Sequence, residues 1–330
     1  MKRKWAVEIA GTGICVPERV VTNEDFTKHL DTSDEWIVQR TGIRERRIAA
    51  PGESTLAFSA GASRQALAEA GMQPEDIDLI VHATVTPAHQ LPSTACELQA
   101  ELGCRWVPAF DIGAACSGFV YAMVSAAQFI DCGMAKNVLV LGSETLTAIT
   151  DMEDRGTAVL FGDGAGAAIL RASTTPERGI LAAQLGADGG RAKAVWVPAG
   201  GSSEPTSTRT VNERLHYMKM NGREIYKFAV TQMHTLVRDT AEEAGVSLDD
   251  LALVIPHQSN LRIIESAASR LDFPMERVSV NIDRFGNTSA ASIAMALHEA
   301  RASKRIKSGD LVMLVGFGAG LTWGSALLRI

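Results

Sequence analysis

The chain of 330 residues is long enough for about two average domains. Hydrophobic residues make up 46% and charged residues 21%, which excludes wholesale disorder and indicates a globular protein with a large buried core. The formal net charge of −6 argues against a general polyanion binder, so no nucleic-acid partner is expected. The five cysteines are odd in number and irregularly spaced, which is unlike a disulfide framework. No apolar segment follows the basic residues 1–4 and no long apolar run occurs, so we expect a cytoplasmic protein without signal peptide or membrane partner.

Short apolar runs of strand length alternate with helical stretches along the chain. The predicted strands are residues 77–84, 137–142, 252–256 and 311–315, and the predicted helices include residues 117–130 and 288–302. Strands that alternate with helices favour a largely parallel sheet covered on both faces, so an α/β fold is expected. Residues 173–214 are rich in Ser, Thr, Pro and Gly and are predicted to form a loop-rich connector.

An internal repeat divides the chain into two similar parts. The succession of Glu-Ala-Gly, an aspartate, an apolar strand and a histidine ends at His82 in the first copy and at His257 in the second. In each copy a helix rich in small residues follows, near Cys116 and near Asn287. The repeat predicts two α/β halves, residues 1–172 and residues 173–330. If the two helix N-termini meet, Cys116, His257 and Asn287 lie near one another.

Three side chains in this repeat are candidates for chemistry. Cys116 precedes a helix, whose dipole favours a thiolate, although free cysteines are also common as small buried hydrophobes. His257 follows a predicted strand, where it could serve as an acid, a base or a hydrogen-bond donor, or as a structural residue like His82. Asn287 stands in Gly-Asn-Thr-Ser, which is also typical of a helix cap or turn.

Two glycine-rich segments need separate interpretations. Residues 162–166, Gly-Asp-Gly-Ala-Gly, lie between apolar runs, so a β-hairpin turn is expected there rather than a phosphate-binding loop. Residues 316–320 follow a predicted strand, and their backbone N–H groups could form part of an oxyanion hole or belong to a plain tight turn. No cysteine or histidine spacing matches a metal site, so no metal is expected.

Several long segments, all in one order, carry a resemblance to a known family. They are DTSDEWIVQRTGIRERRIA, GAACSGF, DRGTAVLFGDGAGAA, PHQSNLRII, RFGNTSAAS and GFGAGLTWGSAL. With these segments the chain resembles the β-ketoacyl-acyl carrier protein synthase III family, the condensing enzymes that initiate type II fatty acid synthesis. The resemblance implies an α/β thiolase fold, with duplicated halves in a five-layered α-β-α-β-α arrangement, and a homodimer.

The resemblance also implies a decarboxylative Claisen condensation without a cofactor. Cys116 would attack a short acyl-CoA, with acetyl-CoA the expected primer, and hold the acyl group as a thioester. His257 and Asn287 would then stabilise the enolate that forms from malonyl-acyl carrier protein as CO₂ departs. The enolate would attack the acyl-cysteine and give a 3-oxoacyl carrier protein. Backbone N–H groups of Cys116 and of the Gly318–Ala319 turn would stabilise the other oxyanion, and Phe317 would pack beside the nucleophile.

Substrate-binding positions carry over from the family in the same way. The implied CoA contacts are Thr32, Trp36, Arg155, Gly222, Asn260 and Arg262. Trp36 and Arg155 would enclose the adenine, as an indole and a guanidinium can. The implied contacts to the acidic carrier protein are Gln258, Ser259, Asn260, Leu261, Arg262, Lys227 and Arg270. Leu91 stands where some acetyl-specific members carry Phe at the subunit boundary beside the acyl pocket, so the size of the primer stays open.

Four other interpretations compete with this assignment. A degradative thiolase would need a second cysteine within residues 316–324, which have none, and an elongating synthase would carry histidine in place of Asn287. A family member diverted to secondary metabolism, with an unusual acyl primer, is the alternative that the motifs leave open. A non-catalytic acyl-CoA or carrier-protein binding module is expected to lack one of the three candidate residues, and all three are present.

Overall fold

The computed structural model describes residues 5–175 and 177–330, so the prediction about a signal peptide at residues 1–4 lies outside the described residues. The strands are β1 Val7–Cys15, β2 Val20–Thr22, β3 Glu45–Arg47, β4 Leu79–Ala83, β5 Ala109–Ile112, β6 Asn137–Thr145, β7 Asp163–Ala172, β8 Gly179–Ala187, β9 Val195–Trp196, β10 Lys219–Met220, β11 Leu251–Pro256, β12 Leu311–Gly318 and β13 Thr322–Arg329. The α-helices are α1 Asn23–Thr27, α2 Asp34–Thr41, α3 Thr55–Ala70, α4 Thr94–Leu102, α5 Gly118–Asp131, α6 Arg155–Ala158, α7 Thr208–Asn212, α8 Gly222–Ala244, α9 Leu261–Arg270, α10 Ile282–Phe285 and α11 Ala291–Ala302. Within the described residues, no helix is long and apolar enough to cross a membrane.

Two larger sheets organise these elements. The first has the strand order β1-β7-β6-β4-β5, and the second has the order β11-β12-β13-β8. In the first sheet β4 is parallel to β5 and β6, while β7 is antiparallel to β6 and β1. In the second, β11 and β12 are parallel, and β13 is antiparallel to β12 and β8. Each sheet therefore combines parallel and antiparallel pairs, where the sequence predicted a largely parallel one.

The core lies in layers around the two sheets. Residues of α5 and α11 pack between the sheets in one hydrophobic cluster. Helices α3 and α4 cover the outer face of the first sheet. Helices α8 and α9 cover the outer face of the second. The predicted five-layered α-β-α-β-α arrangement is confirmed. Its central layer brings α5, which follows Cys116, beside α11, which follows Asn287.

Glycines in β6 and β7 let α11 approach the first sheet closely. A Cβ atom on Gly142 would lie 2.1 Å from the carbonyl oxygen of Ala290, and one on Gly166 would lie 2.5 Å from the Cβ of Ala294. Contacts this short cannot form, so a larger residue at either position would push α11 away. The glycines thereby fix the depth of the helix that follows Asn287.

The glycine-rich residues 162–166 do not form the predicted hairpin turn. They lead straight into β7, which pairs antiparallel with both β6 and β1. A Cβ on Gly162 would lie 2.2 Å from the carbonyl oxygen of Phe285, so the glycine serves close packing against α10 rather than a reversal of the chain.

The predicted loop-rich connector also contains a strand. Residues 179–187 form β8, the edge strand of the second sheet, and its residues Ile180, Leu181 and Ala182 are buried. The surrounding serines, prolines and glycines obscured this apolar run in the sequence. The prediction of a loop is therefore wrong for these residues.

Candidate active site

Cys116 lies in a tight turn at the start of α5. The 3₁₀ turn Ala115–Ser117 contains it, and Ala115 has φ +47°, a left-handed conformation that is uncommon outside glycine. Thr322 of the second sheet holds this turn, because its Oγ1 lies 2.9 Å from both Ser117 Oγ and the carbonyl oxygen of Ala114. The nucleophile candidate from one half of the chain is thus positioned by a residue from the other half.

His257 follows β11, with only 1% of its surface exposed. Its backbone N–H donates to the carbonyl oxygen of Val315 at 2.8 Å, and its ring packs edge-on against Phe317 with centroids 5.5 Å apart. Burial lowers the pKa of His257 to about 3, so the ring is neutral at physiological pH. A neutral imidazole carries one N–H, and its neighbours decide which nitrogen holds it.

Ser292 in α11 contacts the Nδ1 side of the His257 ring. Its Oγ lies 2.7 Å from His257 Nδ1 and accepts the backbone N–H of Gln258 at 3.3 Å. The amide N–H uses only a lone pair of the Ser292 oxygen, so the hydroxyl keeps its proton and can donate it to Nδ1. With Nδ1 as the acceptor, the ring proton is on Nε2. His257 then presents a neutral N–H donor.

Asn287 is fixed through its backbone and through one side of its carboxamide. Its backbone N–H donates to Leu160 at 2.9 Å, and its carbonyl accepts from Gly162 at 3.0 Å. Its Oδ1 accepts the backbone N–H of Ser289 at 2.9 Å. Since the oxygen is the acceptor, the other end of the carboxamide is Nδ2. No residue of the described chain accepts a hydrogen bond from it, so both Nδ2 protons are left for a ligand.

One cavity of about 230 Å³ brings the predicted residues together. Cys116, His257 and Asn287 all line it, as do Phe317, Gly318 and Ala319. The prediction that the first three lie near one another is confirmed. The remaining wall is largely apolar and includes Leu146, Ile149, Phe161, Val195, Val197 and Met218, which pack together as one cluster. An apolar cavity with a few polar groups at one place suits a thioester with an apolar acyl chain.

The ionisation of Cys116 differs from the expectation. Burial raises the pKa of its thiol to about 12, a hydrogen bond from Ser289 lowers it, and the negative charge of Glu144 raises it further. The helix N-terminus does not outweigh this desolvation, so the prediction of a favoured thiolate is not supported. The thiol is protonated at neutral pH.

The implied CoA contacts lie apart from this cavity, on the surface. The guanidinium carbon of Arg155 lies 5.0 Å from the centre of the Trp36 ring, so these two side chains contact each other where the adenine was expected. The buried hydroxyl of Thr32 has no hydrogen-bond partner within residues 5–175 and 177–330. Gly222 begins α8, and Arg262 is exposed in the first turn of α9.

The implied carrier-protein contacts fall into two groups. Lys227 of α8 and Arg262 and Arg270 of α9 are exposed, and a hydrogen bond of 2.8 Å between Tyr226 Oη and Ser266 Oγ joins the two helices. Leu261 is half-buried, and Ser259 lines the cavity rather than the basic surface.

Two of these implied contact residues, Gln258 and Asn260, make hydrogen bonds within the protein. Gln258 is 0% exposed; its Nε2 donates to the carbonyls of Pro256 and Ser279, and its Oε1 accepts from Asn281. The prediction that Gln258 touches the carrier protein is wrong, because a fully buried side chain with satisfied polar atoms cannot reach a partner. Asn260 caps α9 by accepting from the Arg262 amide at 2.9 Å and donates to the carbonyl of Arg40 at 3.0 Å.

Other predicted residues lie outside the cavity. Leu91 is 87% exposed and is not part of the cavity wall. His82 is buried between Ser59 and Asp111, with both ring nitrogens 3.2 Å from a partner, which agrees with its structural interpretation. No group of three or more metal-ligating side chains occurs within the part of the chain that the structure describes.

Sequence reasoning missed three buried polar residues around the site: Glu144, Ser289 and Ser292. Both serines stand in the segment RFGNTSAAS, in which the sequence analysis gave a catalytic role only to Asn287. The signal was therefore present, but serines at the start of a small-residue helix are indistinguishable from ordinary packing residues.

The five-layered fold, with a cysteine, a histidine and an asparagine at one cavity between its halves, is the arrangement of the thiolase-fold condensing enzymes. Residues 110–189 match the family described as 3-oxoacyl-(acyl-carrier-protein) synthase III, and residues 241–330 match its C-terminal part. A relative from Caldanaerobacter subterraneus subsp. tengcongensis, named β-ketoacyl-(acyl-carrier-protein) synthase III, is 49% identical over 100% of this chain and 99% of its own.

Solved structures agree with these sequence relatives. The 3-oxoacyl-(acyl-carrier-protein) synthase III from Aquifex aeolicus is 47% identical, with a TM-score of 0.91 over 98% of this chain and 100% of its own. A priming β-ketosynthase from the R1128 polyketide biosynthetic pathway is 35% identical, with a TM-score of 0.90 over 99% of this chain and 97% of its own. The chain belongs to the 3-oxoacyl-(acyl-carrier-protein) synthase III family and is a condensing acyltransferase.

Proposed function

We propose that the protein joins a short acyl-CoA to malonyl-acyl carrier protein, giving 3-oxoacyl carrier protein, CoA and CO₂, and so initiates type II fatty acid synthesis. The observation that carries the proposal is the single apolar cavity that Cys116, His257 and Asn287 share. A soft sulfur nucleophile faces two neutral hydrogen-bond donors there, which is the set of groups that acyl transfer followed by enolate formation requires.

The first half-reaction acylates Cys116. Its sulfur attacks the thioester carbonyl of acyl-CoA, a new C–S bond forms, and the C–S bond to CoA breaks. The thiol proton leaves with the CoA sulfur, so neutral CoA and a neutral acyl-cysteine result. The cluster around Leu146, Phe161 and Met218 receives the acyl chain, and the backbone amide of Cys116 stabilises the oxyanion of the tetrahedral intermediate.

The second half-reaction begins when malonyl-acyl carrier protein enters. The bond between its α-carbon and its carboxylate breaks, CO₂ leaves, and the electron pair forms an enolate of the thioester. The Nε2–H of His257 and the Nδ2–H of Asn287 donate to the enolate oxygen. Because His257 is neutral, with a pKa of about 3, it donates a hydrogen bond without acting as a strong acid. The enolate carbon then attacks the acyl-cysteine, and the released Cys116 thiolate takes up a proton.

The surface suggests how the two substrates and a second subunit dock. Lys227, Arg262 and Arg270 form a basic patch for the acidic carrier protein. The adenine of CoA replaces the contact between Trp36 and Arg155 and is enclosed by the two side chains. Leu91 and Trp106 are large apolar residues at 87% and 102% exposure, which supports a homodimer that covers them. All five cysteines are free, in keeping with a location in the reducing cytoplasm.

Mass spectrometry of the intact protein tests this function. The protein is mixed with a panel of straight and branched acyl-CoAs, and malonyl-acyl carrier protein is then added. We expect an acyl adduct on the Cys116 peptide, its disappearance in the second step, and a 3-oxoacyl carrier protein. Cys116→Ala is the control that should give no adduct. Tight acyl-CoA binding without an adduct would instead identify a binding module, and an adduct only with unusual primers would identify a role in secondary metabolism.

A further inference from the structure

A buried carboxylate that the proposed mechanism does not use lies next to the reaction centre. Glu144 is in β6 and is 0% exposed. Its Oε2 accepts hydrogen bonds from the hydroxyls of Thr84 and Thr86, at 3.1 and 2.5 Å, and from the backbone amides of Val85 and Thr86, both at 3.1 Å. Its Oε1 accepts from Ser289 Oγ at 3.1 Å. One side chain thus joins residues 84–86 to the turn that carries Asn287.

The direction of these hydrogen bonds stabilises a charged Glu144. The two backbone amides can only donate. The hydroxyl of Thr86 accepts the Thr145 amide at 2.9 Å and donates its own proton to the carboxylate. Burial is the largest influence and raises the pKa of Glu144 above its ordinary value, and the donors from Thr86, Val85, Thr84 and Ser289 offset part of this rise by favouring the ionised form.

Ser289 connects this carboxylate to Asn287 and to Cys116. Its backbone amide donates to Asn287 Oδ1 at 2.9 Å, and its φ of +47° is a conformation that persists only where the surroundings hold it. Its hydroxyl also acts on Cys116, where it lowers the pKa of the thiol and so favours the thiolate. A hydroxyl has one proton, however, so Glu144 and a Cys116 thiolate compete for it.

We propose that Glu144 is a positioning residue for the condensation step: by accepting the Ser289 hydroxyl it fixes the turn at residues 287–289 and directs the Nδ2 donors of Asn287 into the cavity. The inference rests on the proposed function for the role of Asn287. The same contact has an opposite effect on Cys116, because it withdraws the Ser289 proton from the sulfur and places a negative charge nearby. Glu144 therefore promotes enolate formation and disfavours the Cys116 thiolate.

Glu144→Gln separates these two effects. The substitution keeps the size of the side chain and removes the charge. The amides of Val85 and Thr86 need the carboxamide oxygen, so the NH2 group of Gln faces Ser289 and the Ser289 proton is free for the sulfur. We expect a lower Cys116 pKa, measured as the pH dependence of iodoacetamide alkylation at the Cys116 peptide. Malonyl-acyl carrier protein decarboxylation, measured as CO₂ release, should fall by about 10- to 100-fold because Asn287 is no longer held. One variant would then have a more reactive thiol and a slower reaction.

Two further variants keep the test decisive. Asp163→Asn changes another buried carboxylate, which accepts from the Ala49 amide and from the Thr147 amide and hydroxyl and has no contact with Ser289. It should lower the melting temperature without changing the Cys116 alkylation profile. Ser289→Ala removes the hydrogen bond that lowers the Cys116 pKa, so its alkylation profile should not move in the direction of Glu144→Gln.

Several outcomes would overturn the proposal. An unchanged or higher Cys116 pKa in Glu144→Gln would show that the carboxylate does not compete for Ser289. Unchanged CO₂ release would show that it does not position Asn287. A lower Cys116 pKa in Asp163→Asn would mean that general loosening explains the effect. If the wild-type protein released no CO₂, the proposed function would fail instead, while the alkylation profiles would still report on Glu144 and Cys116.

Discussion

Gly318 gives the sharpest test of the backbone geometry around Cys116. A Cβ atom added to Gly318 would lie 2.6 Å from the backbone nitrogen of Cys116, 3.1 Å from the Cβ of Ala115 and 3.3 Å from the Cα of Cys116. All three neighbours belong to the tight turn before α5, so no flexible side chain can move aside. Gly318→Ala must therefore displace the amide that the mechanism assigns to the oxyanion.

The size of the effect follows from these distances. Ordinary contact begins at 3.4 Å, whereas the added Cβ would lie 2.6 Å from the Cys116 nitrogen. The two atoms must therefore move apart by about a further 0.8 Å. Overpacking of this kind costs about 1–3 kcal/mol of stability. Loss of one oxyanion donor slows the reaction by about 100- to 1,000-fold. We expect acylation of Cys116 by acetyl-CoA to slow within that range. The rate is measured by rapid mixing and mass spectrometry.

Gly113→Ala is the matched control for this experiment. Gly113 precedes the same turn, and a Cβ there would have no neighbour within 4 Å. The control should acylate at the wild-type rate. A Gly318→Ala protein that folds and acylates at the wild-type rate would refute the assignment of the Cys116 amide, as would equal slowing in both variants.

Four other predictions follow from the site and its surface. Asn287→Ala should slow CO₂ release by about 100- to 1,000-fold, because one neutral donor is lost, and leave acylation of Cys116 much less affected; equal loss of both would contradict the assignment. Ser292→Ala should slow CO₂ release at least about tenfold, and ¹⁵N NMR should show the His257 proton on Nε2 in the wild type but redistributed in the variant. The pKa of His257 falls from its ordinary value of 6.5 to about 3 on folding, so stability contributed by its neutral form is present above pH 6.5 and lost as pH falls toward 3. Urea unfolding should show that loss as about 1.4 kcal/mol per pH unit, with a shallower slope in His257→Asn. Arg262→Ala should weaken carrier-protein binding and flatten its salt dependence, whereas Arg64→Ala, on the exposed face of α3, should do neither.

The repeat in the sequence predicts that Cys116, His257 and Asn287 lie near one another, because both copies end in the same succession of elements. A strand ends near a histidine and a small-residue helix follows, so duplication brings the N-termini of α5 and α11 together in the middle layer. The sequence alone therefore relates His257 and Asn287 to Cys116. The strand β8 escaped prediction because its short apolar run stands among turn-forming residues.

The supporting polar residues could not be predicted in this way. Glu144 stands in an apolar strand, and only its donors make its burial tolerable. Those donors come from residues about 60 positions earlier and 145 positions later in the chain. Ser292 likewise acts on His257 from 35 positions away. Such partners follow from the packing of the layers rather than from any local pattern. The reactive groups can therefore be predicted from the sequence, whereas the residues that hydrogen-bond around them cannot.

The distribution of charge around the cavity supports the proposed decarboxylation step. No described residue in the cavity wall carries a lysine, arginine, aspartate or glutamate side chain. In the proposed reaction the malonyl carboxylate therefore enters without a cationic partner, while the thioester oxygen would lie where His257 and Asn287 can donate. As the carbon–carbon bond breaks, the negative charge moves from the unpaired end of the substrate to the end that has donors. These contacts strengthen as the reaction proceeds, so they lower the barrier rather than merely bind the substrate. A cation placed beside the carboxylate would tighten substrate binding and slow CO₂ release.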